Sequence, residues 1–243
     1  MKTDVITKSL FFIMGASSVA SGQSQLQFGG GGHIMLPVGD YGGSTNDFYL
    51  GSKYGAGVGL GFHFKSRFEF AGIPWMASME YSIFKNKGNG ESSQGEIELD
   101  RRIFSLRLGP EWFLDVADSF TPYVSAGLIL NNMGGDAGFK KISTVPDTAF
   151  IQQAGERLGL GISGGVLIPL YPEANFDISL NYNLLNPFNK VWVADSRERR
   201  VDSYGAINDS QDPLFSPADT RHFIQRPRSI QTLQFTITVI FQI

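Results

Sequence analysis

The C-terminal residues read Leu233-Gln-Phe-Thr-Ile-Thr-Val-Ile-Phe-Gln-Ile243, and their side chains alternate in polarity. The odd-numbered positions are all apolar, and the even-numbered positions are polar except for Ile240. Successive side chains of a β-strand point to opposite faces. The alternation therefore predicts a strand with one apolar face and one polar face.

The same period of two recurs in seven upstream segments, which begin near residues 26, 56, 73, 104, 124, 158 and 176. Together the segments predict eight strands of about ten residues each. A lipid-spanning strand needs about 9–11 residues, whereas soluble strands most often have about five or six. This pattern leaves two architectures open, a large soluble β-sandwich and a transmembrane β-barrel.

Two further features favour the barrel. The apolar face carries almost no charge, while Glu80, Arg107 and Asp177 all fall on the polar face, which is rich in glycine, serine and asparagine. The connections also alternate in length, as expected for short periplasmic turns and long outer loops. The predicted short turns lie at residues 65–67, 115–119 and 171–175, and the long loops at 39–53, 85–98, 132–156 and 185–230.

Outward aromatic residues gather at the predicted strand ends, which is typical of interfacial girdles. Pro110 falls inside the fourth strand, where a closed barrel has no edge to receive it, so we expect a bulge or local break there. The predicted periplasmic girdle consists of Phe28, Phe62, Phe64, Trp75, Trp112, Phe176 and Phe241.

With its strands assigned, the chain resembles the eight-stranded outer-membrane β-barrel family of the OmpA transmembrane-domain, OmpX and OmpW type. The likeness is carried by residues 35–41, residues 122–127 and the final strand. It implies an all-β, antiparallel up-and-down barrel, and a barrel-insertion machinery that reads strand 232–243. Members of the family usually end on an aromatic residue, whereas this chain ends on Ile243, two residues after Phe241.

Export is predicted from the first residues. Lys2 and Lys8 precede a short apolar core, and small residues follow, which is the layout of a signal peptide. We expect residues 1–22 to be the signal peptide, with cleavage after Ala20 or Gly22, and residues 23–243 to be the barrel. The expected location is the outer membrane of a Gram-negative-type bacterium, with both termini periplasmic.

The composition and motifs limit the kinds of partner and active site that the chain can have. A net charge of −3 predicts no nucleic-acid partner, and the absence of cysteine excludes disulfides and thiolate sites. Gly159, Gly161 and Gly164 match a dinucleotide-binding fingerprint, but the period of two continues where that motif needs a helix. His33 and His63 are interpreted as lumen lining. We therefore expect no catalytic set, no metal site and no cofactor, and hence no enzyme.

Charged residues on the polar face must find partners inside a narrow barrel. A hairpin register near 187 places Glu80 opposite Arg107, which predicts a lumenal ion pair, and Glu111 is expected to face Tyr123 or Ser125. The pair either ties the barrel together or acts as a gate whose opening allows a small conductance. Inward glycines leave space inside the barrel. Either bulky inward side chains fill this space, or it remains as a cavity.

The predicted function is a structural or surface-interaction role, with ligand-binding loops above a largely filled lumen. One alternative is a narrow channel for small or apolar solutes, and another is a lipid-modifying enzyme. The expected partners are outer-membrane lipid and lipopolysaccharide. Phosphate contacts are expected from basic residues of the last loop, although acidic residues there nearly cancel their charge. These bases are Arg197, Arg199, Arg200, Arg226 and Arg228.

Overall fold

A computed structural model describes residues 26–49, 52–89, 95–114, 119–142, 147–188 and 229–242. Eight strands form a closed antiparallel barrel in which each strand pairs with its neighbours in the chain and β1 pairs with β8. This confirms the predicted fold class. The strands are β1 (Gln27–Val38), β2 (Gly59–Phe70), β3 (Ile73–Asn89), β4 (Glu96–Phe113), β5 (Thr121–Lys140), β6 (Thr148–Tyr171), β7 (Ala174–Leu184) and β8 (Gln231–Gln242), and a short helix α1 (Thr45–Tyr49) follows β1.

The two faces of each strand differ as the alternation predicts. On β5, Leu128 is 56% exposed on the outside, whereas Ser125 is 4% exposed on the inside. Polar residues therefore fill the lumen, and apolar residues form the outer surface. On β4 the outward apolar stretch runs from Phe104 to Leu114, about ten residue steps. At about 3.3 Å per step and a tilt of ~40°, it spans ~25 Å, the height of the lipid-facing band of such barrels.

The strands differ in height. β1, β2, β7 and β8 have 11 or 12 residues, while β3 to β6 have 17, 18, 20 and 24. The taller strands rise at the end of the barrel opposite the short turns. We call the two ends the turn end and the extension end. The prediction of long loops at 85–98 and 132–156 was wrong, because both segments are largely continuations of paired strands.

Polarity reverses where these strands leave the apolar band. Above Ile83, Phe104 and Leu130, the outward positions become charged or polar, beginning with Lys85, Arg102 and Asn132. On β4 and β5 the inward positions become largely apolar over the same stretch, where Ile97, Leu99 and Phe139 are at most 1% exposed and Arg101 is a buried exception. The described strand residues beyond this boundary, 85–89, 96–102, 134–140 and 148–154, are called the outer extension.

Two turn-end details differ from the sequence prediction. The turn predicted at residues 65–67 lies instead at Ala71 and Gly72, whose φ angles of 55° and 74° suit a two-residue hairpin turn. At Pro110 the predicted bulge is absent: Leu108 pairs with Leu128 and Glu111 with Ser125 in one register. The break is local, because Pro110 has no N–H to donate and pairs only with Trp75 on β3.

No helix in the described segments is both long and apolar enough to cross a membrane.

Candidate functional site: a filled lumen beneath a capped extension

Four charged side chains converge inside the turn-end half of the barrel. Lys65 Nζ lies 2.9 Å from both Glu111 Oε1 and Asp177 Oδ2, and Arg67 contacts the same two carboxylates at 2.5 and 2.8 Å. All four side chains are at most 9% exposed. Lys65, Arg67, Glu111 and Asp177 are called the lower lumen cluster. Its two cations and two anions balance, which is what a buried ionic group requires.

Tyr123 of β5 links this cluster to a further wall of the barrel. Its hydroxyl donates to Asp177 Oδ1 at 2.6 Å and accepts from Lys65 Nζ at 3.1 Å. The Lys65 ammonium and the Arg67 guanidinium lie 4.6 and 4.9 Å from the centre of its ring, a cation–π geometry. Side chains from β2, β4, β5 and β7 thus meet across the lumen and fill it.

Lys65 and Arg67 are the site residues that the sequence prediction missed, because two nearby bases were interpreted as a turn. The signal was present, since Phe64, Phe68 and Phe70 are outward apolar residues that continue to the true turn, interrupted only by Ser66. Lys65 and Arg67 fall on the other face of that alternation. They therefore point into the lumen.

The predicted pair of Glu80 with Arg107 was wrong by two residues of register. Glu80 lies opposite Ser105, and Arg107 lies opposite Ser78. No ion pair within 4.0 Å joins Glu80 and Arg107 among the described residues. Hydrogen bonds hold both charges instead: Glu80 accepts from Gln234 and Ser78, and Arg107 donates to Asn181, Ser125 and Ser163.

Glu111 does lie opposite Ser125, one of the two positions named for it. Its ion-pair partners, however, stand on β2, across the lumen rather than on the adjacent strand. Sequence spacing along hairpins cannot predict this contact, because the two strands are not neighbours in the barrel. It depends on the closed shape.

Bulky inward side chains occupy the space above the inward glycines. A Cβ on Gly59 would stand 2.6 Å from the Phe84 ring, and one on Gly165 would stand 2.5 Å from the Tyr123 hydroxyl. At Gly161 the neighbours are the Asn183 amide oxygen at 2.9 Å and the Arg107 guanidinium carbon at 3.1 Å. Of the two possibilities for these glycines, filling by bulky side chains describes these positions.

Two histidines lie in the middle of the lumen. His33 on β1 and His63 on β2 are 5% and 4% exposed, and their Nδ1 atoms are 3.5 Å apart. His33 Nε2 lies 2.8 Å from Ser82 Oγ, and His63 Nε2 lies 2.6 Å from Thr238 Oγ1. Every ring nitrogen of the pair therefore has a neighbour.

The interior of the outer extension is a largely apolar core, in which the buried Arg101 guanidinium lies 5.2 Å from the centre of the Phe48 ring. Phe48 and Tyr49 of α1 pack with Ile97, Leu99 and Phe139 of β4 and β5. A second cluster lies beneath it and closes the top of the polar lumen. Its members are Met35, Tyr41, Tyr54, Ala56, Phe84, Ile103, Ile129, Met133, Leu185 and Ile230.

Residues 39–49 and 52–57 fold over this core and are called the cap. Asn86 of β3 donates to the carbonyls of Gly43 and Gly55 at 3.2 and 2.7 Å, so the cap is tied to the barrel wall. Within the cap, Asp47 Oδ2 accepts from the Ser44 N–H at 2.8 Å. That backbone hydrogen bond, together with one from the Ser44 hydroxyl, holds the pKa of Asp47 below its ordinary value.

The outward aromatic residues occupy different heights. Phe28 and Phe241 pair with each other at the turn-end limit of β1 and β8 and are 47% and 53% exposed. Phe62 and Phe64 lie near the middle of β2, because that strand continues to Phe70. Trp75, Trp112 and Phe176 lie within three residues of a turn-end strand limit.

Other predicted features fall outside the described residues. These include the signal peptide, His222, and the basic residues Arg197, Arg199, Arg200, Arg226 and Arg228 of the last loop. In the described ranges, no group of three or more His, Asp or Glu side chains is placed to hold a metal ion.

No protein-family model and no curated protein sequence matches the chain. Among solved structures, it is similar to a major outer membrane protein from Thermus thermophilus, with 13% identity, a TM-score of 0.49, and coverage of 89% of this chain and 99% of that one. Neisserial surface protein A has 12% identity, a TM-score of 0.47, and coverage of 91% and 98%. Ail, the attachment invasion locus protein of Yersinia pestis, has 15% identity, a TM-score of 0.40, and coverage of 92% and 100%.

The geometry of the chain itself identifies its architecture. Eight antiparallel strands close into a barrel, and their exposed apolar face has the height of a bilayer core. By these features the chain is an eight-stranded, antiparallel transmembrane β-barrel.

Proposed function

We propose that this protein is a closed outer-membrane barrel that presents its capped outer extension as a surface for interaction outside the cell. The observation that carries the proposal is the reversal of polarity on β4 and β5, together with the charged outward positions that continue along β3. A lipid-spanning strand needs about 9–11 residues, and these strands are longer. Their additional length has its own apolar core and a charged exterior, as a soluble domain does.

Ion pairs connect neighbouring strands on the exterior of the outer extension. Lys87 on β3 lies 3.0 Å from Glu96 on β4, and Arg102 on β4 lies 3.0 Å from Asp136 on β5. These side chains are partly or largely exposed, so each pair contributes little to stability. They do leave a water-soluble surface of mixed charge, which suits a role in contact with polar partners.

The filled lumen argues against transport as the main role. The lower lumen cluster and Tyr123 cross the turn-end half, and the apolar clusters close the other end. An eight-stranded barrel is only just wide enough for its side chains. A narrow channel would require these contacts to open. Any gate would therefore be the lower lumen cluster rather than a pair of Glu80 with Arg107. A lipid-modifying activity has no assembled catalytic set to support it among the described residues.

Two measurements test this proposal. In planar bilayers the purified barrel is expected to show no conductance steps, and Arg107→Ala is expected to behave in the same way. On intact cells, a membrane-impermeant amine reagent should label Lys87 and Lys140 of the extension. Steady conductance, or labelling that needs permeabilised cells, would contradict the closed, outward-facing arrangement.

The interaction itself is tested by adhesion of whole cells. Cells that display the full chain should be retained on at least one surface in a panel of immobilised glycans and proteins. A variant with a shortened β5–β6 hairpin, checked for folding by its heat-dependent gel shift, should lose that retention. Equal retention of both variants, or no retention of either, counts against the proposal.

Lipopolysaccharide is the proposed lipid partner. Guanidinium groups can bind phosphate oxygens in a bidentate manner, and we propose that its phosphates contact Arg197, Arg199, Arg200, Arg226 and Arg228. Purified protein should retain less lipopolysaccharide when these five residues are replaced by alanine. Unchanged retention would remove this partner.

A further inference from the structure

The two lumenal histidines face each other in an unusual way. Their Nδ1 atoms are 3.5 Å apart, and their ring centres are 5.7 Å apart with an angle of 33° between the ring planes. The outer ring nitrogens are each held by a hydroxyl, Ser82 Oγ for His33 and Thr238 Oγ1 for His63. Each ring is therefore held through its Nε2 atom, and the two Nδ1 atoms face each other.

The separation of the two Nδ1 atoms is informative. A direct hydrogen bond from a ring N–H normally closes to about 2.7–3.2 Å, so a gap of 3.5 Å is loose for one. Two nitrogen ligands on one tetrahedral ion, with bonds of about 2.0–2.1 Å, lie ~3.3–3.4 Å apart. The observed gap is closer to the second value than to a normal hydrogen bond.

The tautomers point the same way. A neutral imidazole has one donor nitrogen and one acceptor nitrogen. When both Nε2–H groups donate to Ser82 and Thr238, both Nδ1 atoms carry lone pairs, and these lone pairs face each other. A cation between them satisfies both. Histidine ligands of metals commonly donate their second N–H to an oxygen in this way, which fixes the orientation of the ring.

We propose that His33 and His63 form a binding site for one divalent transition-metal ion, such as Zn²⁺, Cu²⁺ or Ni²⁺. Imidazole nitrogen suits these ions and not Mg²⁺ or Ca²⁺, which take oxygen ligands. The two Nδ1 atoms supply the protein ligands already in place, and water occupies the remaining positions. The inference stands apart from the proposed surface role, because it concerns the lumen alone.

Glu80 supplies the charge that a buried cation needs. It is the cross-strand partner of His63, and its side chain is held inside the barrel by Gln234 and Ser78. Lys65, two residues from His63, already has its charge balanced by Glu111 and Asp177. Among the residues that the structure describes, no basic side-chain nitrogen lies within 4.0 Å of the Glu80 carboxylate, which stands on the strand next to His63.

A glycine makes room for the site. Gly61 lies opposite His33, and a Cβ on Gly61 would clash with both the Tyr81 carbonyl oxygen and His33 Nε2. The glycine therefore accommodates the close backbone approach of β3 and also leaves the His33 ring in its place.

The test is metal binding by the whole barrel, produced without a histidine tag. The chain has three histidines, so His222 provides a matched control outside the described residues. After chelator treatment and dialysis against Zn²⁺, the folded protein should retain one ion per chain by elemental analysis. His33→Gln and His63→Gln should lose it, and His222→Gln should keep it. Ser82→Ala and Thr238→Val should weaken binding about 10–100-fold, as expected for groups that orient ligands.

A spectroscopic measurement needs no variant and so does not depend on mutant folding. Cu²⁺ bound to the wild-type barrel should show nitrogen hyperfine coupling from two imidazoles in its electron paramagnetic resonance spectrum. Absence of bound Zn²⁺ and Cu²⁺ in the folded wild type would overturn the inference. So would a spectrum without nitrogen coupling, or retention of the ion when both lumenal histidines are replaced. None of these outcomes bears on conductance or adhesion.

Discussion

Replacing Glu111 by glutamine tests whether the lower lumen cluster stabilises the barrel. Glu111 contacts both cations of the cluster, Lys65 at 2.9 Å and Arg67 at 2.5 Å, and its side chain is 0% exposed. At an effective dielectric of ~20, the gross attraction between unit charges 2.9 Å apart is about 6 kcal/mol. The glutamine oxygen still accepts a hydrogen bond but carries no charge.

The net effect is smaller than the gross attraction. Removing the carboxylate charge also removes its desolvation penalty of several kcal/mol, and breaking a buried ion pair typically costs about 3–5 kcal/mol. Asp177 remains in contact with both Lys65 and Arg67, so neither cation is left alone. We therefore expect Glu111→Gln to lower the free energy of unfolding by about 3 kcal/mol, at the lower end of that range.

The measurement is a urea titration of the barrel folded into phospholipid vesicles, followed by tryptophan emission and by the heat-dependent gel shift. Glu98→Gln is the matched control, because Glu98 is an exposed, outward carboxylate on the same strand and should change stability by less than about 0.5 kcal/mol. Adding Lys65→Met to Glu111→Gln should cost less than the sum of the two single changes. A loss below about 1 kcal/mol for Glu111→Gln would refute the reasoning, since it lies well under the cost of breaking a buried pair.

Particular contacts support three further predictions. Because the chain has no cysteine, the β3–β4 register can be tested by disulfide formation: Glu80→Cys with Ser105→Cys should cross-link, and Glu80→Cys with Arg107→Cys should not. Gly165→Leu should displace Tyr123 from Asp177 and lower the urea midpoint, whereas Gly164→Leu, on the outward face, should not. The pKa of Asp47 is held below 3.8, so its contribution to the cap is complete above that pH and is lost as the pH falls through the folded-state pKa. An NMR titration should place its midpoint below 3.8, and removing the Ser44 hydroxyl by Ser44→Ala should raise it.

Much of the fold was predictable because lipid and lumen impose opposite demands on alternate residues. The strand at 158–168 shows this: Leu158, Leu160 and Ile162 face out, while Gly159 and Gly161 face in. The apparent dinucleotide fingerprint there is a glycine-rich strand whose inward glycines make room for neighbouring side chains. The number of strands, their direction and the closure of the barrel all follow from such patterns.

The site was harder to predict, because its contacts cross the lumen. Arg67 meets Glu111 and Asp177 on strands that do not neighbour β2, and no hairpin register relates those positions. The register error between Glu80 and Arg107 has a different cause. An ion pair was used to choose among registers, whereas the backbone pairing left both charges to amide and hydroxyl partners.

The heights of the outer strands were missed for a third reason. Alternation continues beyond the membrane boundary, but with its sense reversed, so Ile97 and Leu99 face inward while Glu96 and Glu98 face outward. A search for strands with an apolar outer face stops at that reversal. The same residues then look like a polar loop.

The reversal at Ile83, Phe104 and Leu130 also limits how the barrel can adapt to bilayers of different thickness. In a thicker membrane, Lys85 and Arg102 would enter the edge of the hydrocarbon, where each cation costs about 0–1 kcal/mol near the interface and more with depth. Hydrogen-bonded strands cannot lengthen, so the bilayer thickness must change instead. Hydrophobic mismatch should therefore be met by local thinning of the bilayer around β3 to β5, which would favour membranes that are already thin.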